Sequence, residues 1–121
     1  MNIDLAKALI LDMLSLDDES LDILLEEVSE IPTREDLKPC LNPSYIDIIL
    51  NSEDIKNAIR QLVEDKMVLV LDEKGKKLVY DSLDEILEIK TRYTFWFRMT
   101  KKGEEWYKST EAKYWNPILH N

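Results

Sequence analysis

The sequence is poor in the residues that build tight turns and covalent cross-links. Its 121 residues include two glycines and four prolines, and this scarcity argues against a loop-rich barrel or sandwich and favours long regular elements. The single cysteine, Cys40, cannot form an internal disulfide, so the fold does not depend on an oxidising compartment. No segment approaches the roughly 20 apolar residues that span a bilayer. We therefore expect a helix-rich cytoplasmic protein without a membrane span.

The sequence also lacks the residue combinations of common catalytic and cofactor sites. Its only histidine is His120, and Cys40 has no histidine near it in sequence, which argues against nucleophilic catalysis and against a zinc site. No glycine-rich phosphate loop is present. Paired carboxylates such as Asp17 and Asp18 fit helix-start and solvated surface positions better than acid–base catalysis. We expect no enzymatic activity, no metal and no cofactor.

The composition is that of one globular domain. Apolar residues make up 45% of the chain and charged residues 34%, a mixture too apolar for a disordered protein. A length of 121 residues is ordinary for a single domain with one core. We therefore expect residues 1–121 to form one domain.

Negative charge is concentrated in the first part of the chain. The net charge is −9, and residues 1–50 carry twelve acidic side chains against three basic ones, whereas the remainder is balanced. Such a first half repels the phosphate backbone of nucleic acid. It would attract a basic protein.

Hydrophobic spacing predicts four helices in about the first half of the chain. Ile3 to Leu14 is apolar on nearly every side, which indicates a helix sandwiched between other elements or pressed against a second subunit. A second helix is predicted from Leu21 to Val28, followed by a connector over residues 31–43 and a short buried helix over Ser44–Leu50. Asn51 and Ser52 then offer an N-cap to the clearest amphipathic helix.

The second half of the chain predicts strands and one last helix. Met67–Leu71 and Leu78–Tyr80 are short apolar runs around a charged turn, as in a hairpin. Ser82–Glu88 has the spacing of a short helix, and Tyr93–Met99 alternates as a strand. The last helix is predicted to open near Thr100.

Two short stretches resemble a known superfamily. Ile59–Val68 (IRQLVEDKMV) is similar to the recognition helix and first wing strand of winged-helix proteins, particularly regulators of the MarR and PadR type. Phe97–Glu105 (FRMTKKGEE) is similar to the strand, turn and helix that close their wing. The resemblance covers residues 44–110 and implies a mainly α (α+β) winged-helix domain with extra N-terminal helices, a small antiparallel sheet and a C-terminal helix. It departs from the family at Asp81–Lys90, which intervenes between the wing strands.

The first functional hypothesis is a winged-helix scaffold that binds a basic protein. A concrete form is an immunity protein or antitoxin that covers the positive active site of a nuclease toxin. Trp96 and Trp115 are either exposed anchors of such a contact or part of the core. The candidate contact residues are an acidic series and one face of the aromatic strand: Asp12, Asp17, Asp18, Glu19, Asp22, Glu26, Glu27, Glu30, Arg92, Trp96 and Arg98.

The alternative hypothesis is a transcriptional regulator that binds DNA as a homodimer. The apolar helix from Ile3 to Leu14 would then supply the dimer interface, because two half-sites need two recognition helices. Mixed charge on the helix that would read DNA favours a solvated face over a base-reading one. The candidate DNA contacts are Lys56, Asn57, Arg60, Gln61, Lys74, Lys76, Lys77, Lys101 and Lys102.

Overall fold

The computed structural model of this chain describes residues 2–72, 74–77, 87 and 95–119. These residues form a mixed α and β structure with four α-helices and a small antiparallel sheet. The elements in chain order are α1 (Ile3–Leu14), β1 (Glu19–Ser20), α2 (Leu21–Glu30), α3 (Ser52–Glu64), β2 (Val68–Leu71), β3 (Trp96–Met99) and α4 (Lys101–Tyr114).

Helix α1 lies at the centre of the molecule. Eight of its twelve residues are buried, and α2, α3, α4 and β3 all pack against it. Even Lys7 is 7% exposed, with its ammonium 5.0 Å from the centre of the Trp106 ring. The chain's own elements therefore cover α1, as the sandwiched-helix prediction required. The suggested dimer interface along this helix is wrong, because its apolar side chains already lie in the core.

Helices α2 and α3 begin at the caps that their sequences provide. Ser20 accepts a hydrogen bond from the main-chain N–H of Ile23, and Leu21, Leu24 and Val28 form the buried stripe of α2. At α3, the Asn51 side chain accepts from the Asp54 N–H at 2.8 Å while the Asp54 carboxylate accepts from the Asn51 N–H. This reciprocal capping box fixes the first turn. The predicted helices are confirmed at both places.

The segment between α2 and α3 differs from the prediction. Instead of a helix over Ser44–Leu50, it contains two single turns of 3-10 helix, Lys38–Cys40 and Pro43–Tyr45. Asp47 has a φ of 66°, a left-handed conformation that ends any helical path. Ile49 is 74% exposed, so the segment is not buried throughout. Its four apolar residues suggested a buried helix, but after the turn that begins at Pro43 the extended Ile46 and the left-handed Asp47 end the helical path.

The C-terminal end of α4 is attached to this connector. Leu41 and Trp115 form an isolated antiparallel bridge. On either side of it, the Asn42 N–H donates to the Tyr114 carbonyl at 2.9 Å and the Asn116 N–H to the Cys40 carbonyl at 2.7 Å. Trp115 is 4% exposed. It is therefore a core residue, and the suggestion that it is an exposed anchor is wrong.

The sheet has the order β1-β3-β2, with antiparallel pairing on both sides of β3. Phe97 points into the core and is fully buried, whereas its neighbour Arg98 is exposed. This alternation was predicted for Tyr93–Met99, and it is confirmed from Trp96 onward. After β2 the chain reverses through a turn with Gly75 at φ 80° and returns as far as Lys77, which bridges to Leu71.

Three predicted features between β2 and β3 lie largely outside the described residues. These are the strand Leu78–Tyr80, the insertion Asp81–Lys90 and the beginning of the strand at Tyr93. Within the predicted helix Ser82–Glu88, Leu87 is described. It is helical and 2% exposed, and it belongs to the hydrophobic core. The insertion therefore contributes at least this side chain to the core.

Gly103 provides a test of the packing between α4 and the start of β2. It is buried in the first turn of α4, and an added Cβ would overlap the main-chain oxygen of Met67. We predict that Gly103→Ala lowers the free energy of unfolding by about 2–4 kcal/mol, because main-chain atoms must move to relieve the overlap. Urea unfolding checks the prediction. Lys102→Ala, at an exposed position of the same turn, should change stability by less than about 0.5 kcal/mol, and equal stability of the two variants would contradict the packing described.

Candidate protein-binding surface

The sheet brings the acidic segment and the aromatic strand together. Glu19 pairs with Phe97, and Ser20 pairs with Trp96. One position further along, Arg98 grips Asp18 with two nitrogens: Nε lies 3.1 Å from each carboxylate oxygen and Nη2 lies 2.8 Å from Oδ2. The two residues are 80 positions apart in the chain. Two features that the sequence suggested separately are therefore parts of one surface.

Several carboxylates crowd around Glu19. Partial burial raises the pKa of the Glu19 carboxyl, and the negative charges of Glu27, Asp17 and Asp18 raise it further. Asp17 and Glu27 are exposed. We call Asp17, Asp18, Glu19 and Glu27 the acidic surface. Like charges at this spacing disfavour one another's ionisation, so a positive group placed here would be stabilised.

Within the described part of the chain, Arg98 is the basic side chain that contacts the acidic surface. Its hydrogen bonds to Asp18 and the attraction of that carboxylate raise the pKa of the guanidinium. Trp96 lies two residues earlier on the same side of β3 and is half-buried, and Leu69 of β2 is the cross-strand neighbour of Arg98. Arg92, which was predicted to share this face, lies outside the described residues. The acidic surface thus borders a small, partly apolar sheet face.

The remaining acidic candidates do not belong to the acidic surface in the same way. Asp12 is half-buried in α1 and accepts a short hydrogen bond from the Tyr107 hydroxyl of α4. Burial and the neighbouring Asp12 carboxylate raise the pKa of Tyr107. Asp22 is half-buried in the first turn of α2. At the other end of that helix, Oε2 of Glu30 lies 3.8 Å from Nη1 of Arg34. Glu26 is exposed on α2. Asp12 therefore links two helices, and it is a poor candidate for contact with a partner.

The candidate DNA-binding residues of α3 are engaged within their own helix. The Arg60 guanidinium donates to the side-chain oxygen of Asn57 at 2.7 Å, and the Lys56 ammonium lies 4.0 Å from Glu53. Lys56, Asn57, Arg60 and Gln61 are all half-buried.

The other basic candidates are outside α3. Lys74, Lys76 and Lys77 are exposed in and after the turn that follows β2, and Lys101 and Lys102 are exposed at the start of α4. The structure thus leaves these lysines accessible, whereas the polar side chains of α3 are only partly so.

The structure adds contacts that the sequence gave no means to predict. The crowding around Glu19 depends on the approach of Glu27 from α2. The ion pair between Arg98 and Asp18 depends on the register in which β1 pairs with β3. Hydrophobic spacing predicts which residues face the core but not which charged groups meet across the sheet. Trp96 is half-buried, which is consistent with both of its predicted roles, an anchor for a partner and a part of the core.

Neither a metal site nor a membrane span is found where the chain is described. No three side chains of His, Cys, Asp or Glu in residues 2–72, 74–77, 87 and 95–119 are grouped in a way that would hold a metal ion. None of the helices in these ranges has the length and apolar character needed to cross a bilayer.

Comparison with protein-family models, curated proteins and solved structures finds no match to this chain.

The raised pKa of Glu19 predicts an unusual pH dependence of stability. A carboxyl with a folded-state pKa above its ordinary value of 4.5 holds its proton more tightly in the folded protein, so stability falls as the pH rises through that folded pKa. Glu19→Gln removes the ionisation, and we expect it to raise the urea midpoint at neutral pH. The gain should vanish near pH 3, where the wild-type carboxyl is protonated in both states.

Glu26→Gln, which also removes one charge from α2, serves as the control for that experiment. It should give a smaller gain than Glu19→Gln at neutral pH, since Glu19 is the carboxyl with the crowded neighbours. Equal gains from the two substitutions would mean that overall charge, and not the crowding around Glu19, determines the effect.

Proposed function

We propose that this chain is a non-catalytic protein-binding module that binds a basic partner protein through the acidic surface. One observation carries the proposal: the pairing of β1 with β3 holds Glu19 at the edge of the sheet, where it is partly buried and crowded by the carboxylates of Glu27, Asp17 and Asp18. Unfavourable like-charge contacts lower the stability of the free protein. A partner that places Lys or Arg side chains here would relieve them.

The proposed scaffold is a winged helix. Its support is the order of elements, in which a helix, a strand and two helices precede two strands, together with the strand order β1-β3-β2. In that scheme α3 occupies the position of the recognition helix. The connector over residues 31–51 is much longer than the three- or four-residue turn usual between such helices. This departure favours a scaffold used for a purpose other than reading DNA.

The proposal includes a concrete biological form, an immunity protein or antitoxin in the cytoplasm that covers the active site of a nuclease toxin. Nucleases bind phosphates and therefore carry positive clefts. An acidic surface speeds association with such a cleft and aligns the two proteins, and this attraction weakens as salt is added. The net charge of −9 acts in the same direction over longer distances.

The charge-based contact can be tested with a defined probe, a fluorescently labelled hexa-arginine peptide. We expect wild-type protein to bind it at low salt and to lose affinity steeply between low and physiological ionic strength, as screened charge pairs do. The triple variant Asp17→Asn, Glu19→Gln, Glu27→Gln should bind about threefold to a hundredfold more weakly, because each of the three lost pairs contributes about 0.2–1 kcal/mol. Fluorescence anisotropy measures both effects.

A second triple variant controls for net charge in this experiment. Glu53→Gln, Glu64→Gln, Asp65→Asn removes three exposed or half-exposed carboxylates from α3 and its C-terminus. It should keep most of the wild-type affinity. Equal losses in the two triple variants would show that the peptide responds to overall charge, and the acidic surface would no longer be supported as the contact.

The competing proposal is a dimeric DNA-binding regulator. It has less support, because α1 is enclosed by its own chain and the α3 candidates Asn57 and Arg60 bond to each other. We therefore predict no binding to a random DNA duplex at low salt, measured by anisotropy of labelled DNA. Binding that fades steeply with added salt would favour the regulator, and Arg60→Ala would then be the first variant to examine.

A further inference from the structure

The ion pair between Arg98 and Asp18 places a guanidinium on the acidic surface of the free protein. Three nitrogen–oxygen distances of 2.8–3.1 Å join the two side chains. This two-nitrogen grip is the geometry in which arginine binds carboxylates most strongly. The Arg98 side chain is nevertheless 54% exposed, and that of Asp18 is 31% exposed. The ion pair is therefore well aligned, and its partial exposure allows a charged group from another protein to reach it.

We propose that Arg98 is a specificity-determining residue. Its guanidinium binds the Asp18 carboxylate in the free protein and competes for that carboxylate with an arginine of the partner. The inference rests on the function proposed above, since it concerns the same acidic surface. It names the group that the partner must present, a guanidinium, because a planar fork can replace the Arg98 fork, whereas the point charge of lysine makes a poorer substitute.

Exchange is compatible with the fold around the ion pair. The strand register holds β1 in place through the pairs Glu19 with Phe97 and Ser20 with Trp96, and Ser20 also caps α2. Exposed ion pairs contribute little to folding stability. Asp18 can therefore release Arg98 and bind an arginine of the partner while the acidic surface keeps its shape.

The presence of Arg98 also weakens the attraction of the acidic surface for cations. Its charge lies against Asp18 and offsets one of the four carboxylates that define the surface. When Arg98 is removed, both the full negative charge and the free Asp18 carboxylate become available. This competition predicts that loss of Arg98 strengthens binding of a cationic partner, whereas an anchor residue would weaken binding when removed.

The experiment compares Arg98→Gln with Lys108→Gln, using the hexa-arginine peptide as the probe at fixed ionic strength. Both substitutions remove one positive charge from an ion pair whose shortest contact is 2.8 Å, and Lys108 pairs with Glu104 on α4. Arg98→Gln should bind the peptide about three- to fivefold more tightly than wild type, the effect of one charge a few ångström away in water. Lys108→Gln should stay within about 1.5-fold of wild type, because Lys108 pairs with Glu104 of its own helix and not with a carboxylate of the acidic surface; exposed pairs of this kind have weak effects.

Arg98→Lys provides a second variant that keeps the net charge. Because lysine cannot grip Asp18 with two nitrogens, we expect about twofold tighter binding than wild type. Thermal unfolding of each variant establishes that it is folded at the temperature of the titration. If Arg98→Gln is unfolded there, Arg98→Lys alone tests whether Arg98 competes with the peptide.

Three results would overturn the inference, and they separate it from the proposed function. Unchanged or weaker binding by both Arg98 variants would overturn it alone and leave the acidic surface as the contact. Equal strengthening by Arg98→Gln and Lys108→Gln would also overturn it alone, since net charge would then explain the gain. Absence of salt-dependent peptide binding by wild type and every variant would contradict the proposed function as well.

Discussion

Helix α1 is buried on nearly every side, and the positions of the other elements follow from the need to cover it. Its apolar residues require α2, α3, α4 and β3 as neighbours. Two of its polar side chains contact α4: Lys7 lies over Trp106, and Asp12 bonds to Tyr107. Burial of this much apolar surface is the main favourable contribution to folding. Elements joined to α1 by short segments therefore have little freedom in their placement.

One consequence of this arrangement is the position of the acidic residues. The chain leaves α1 through a short exposed segment, makes two residues of strand at the sheet edge and enters α2. Carboxylates cannot be buried in the core without partners. Asp17, Asp18, Glu19 and Glu27 therefore lie on the outer side of the segment that runs from α1 through β1 into α2. The geometry that encloses α1 thus also creates the crowding around Glu19, at a cost to stability when these groups are ionised.

The sequence was informative where local chemistry determines the structure. Apolar residues on nearly all sides of Ile3–Leu14 predicted a helix covered by other elements or by a second subunit, and Asn51 and Ser52 predicted the beginning of α3. These features depend on residues within a few positions of one another, so their signals are readable in the chain. The same holds for Thr100, whose side chain accepts a hydrogen bond from Gly103 at the start of α4.

The sequence was misleading or silent where distant segments meet. The apolar residues of Ser44–Leu50 suggested a helix, although the left-handed Asp47 ends the helical path after one 3-10 turn. The sequence left Trp115 open between a surface anchor and the core, and its bridge to Leu41 and its burial place it in the core. The ion pair of Arg98 with Asp18 depends on the β1–β3 register, which hydrophobic alternation alone does not specify across 80 residues. The candidate surface was therefore predictable in its parts and not in its assembly.

The central claim is that a cationic partner binds where β1, the start of α2 and β3 meet. Residue-by-residue mapping of amide shifts in a two-dimensional nitrogen–proton NMR spectrum, recorded while hexa-arginine peptide is added, tests it most directly. The account predicts that the shifted amides cluster at residues 17–27 and 96–98, with those of α3 unchanged. Shifts spread over the exposed carboxylates of α3 and the connector as strongly as over residues 17–27 would contradict it.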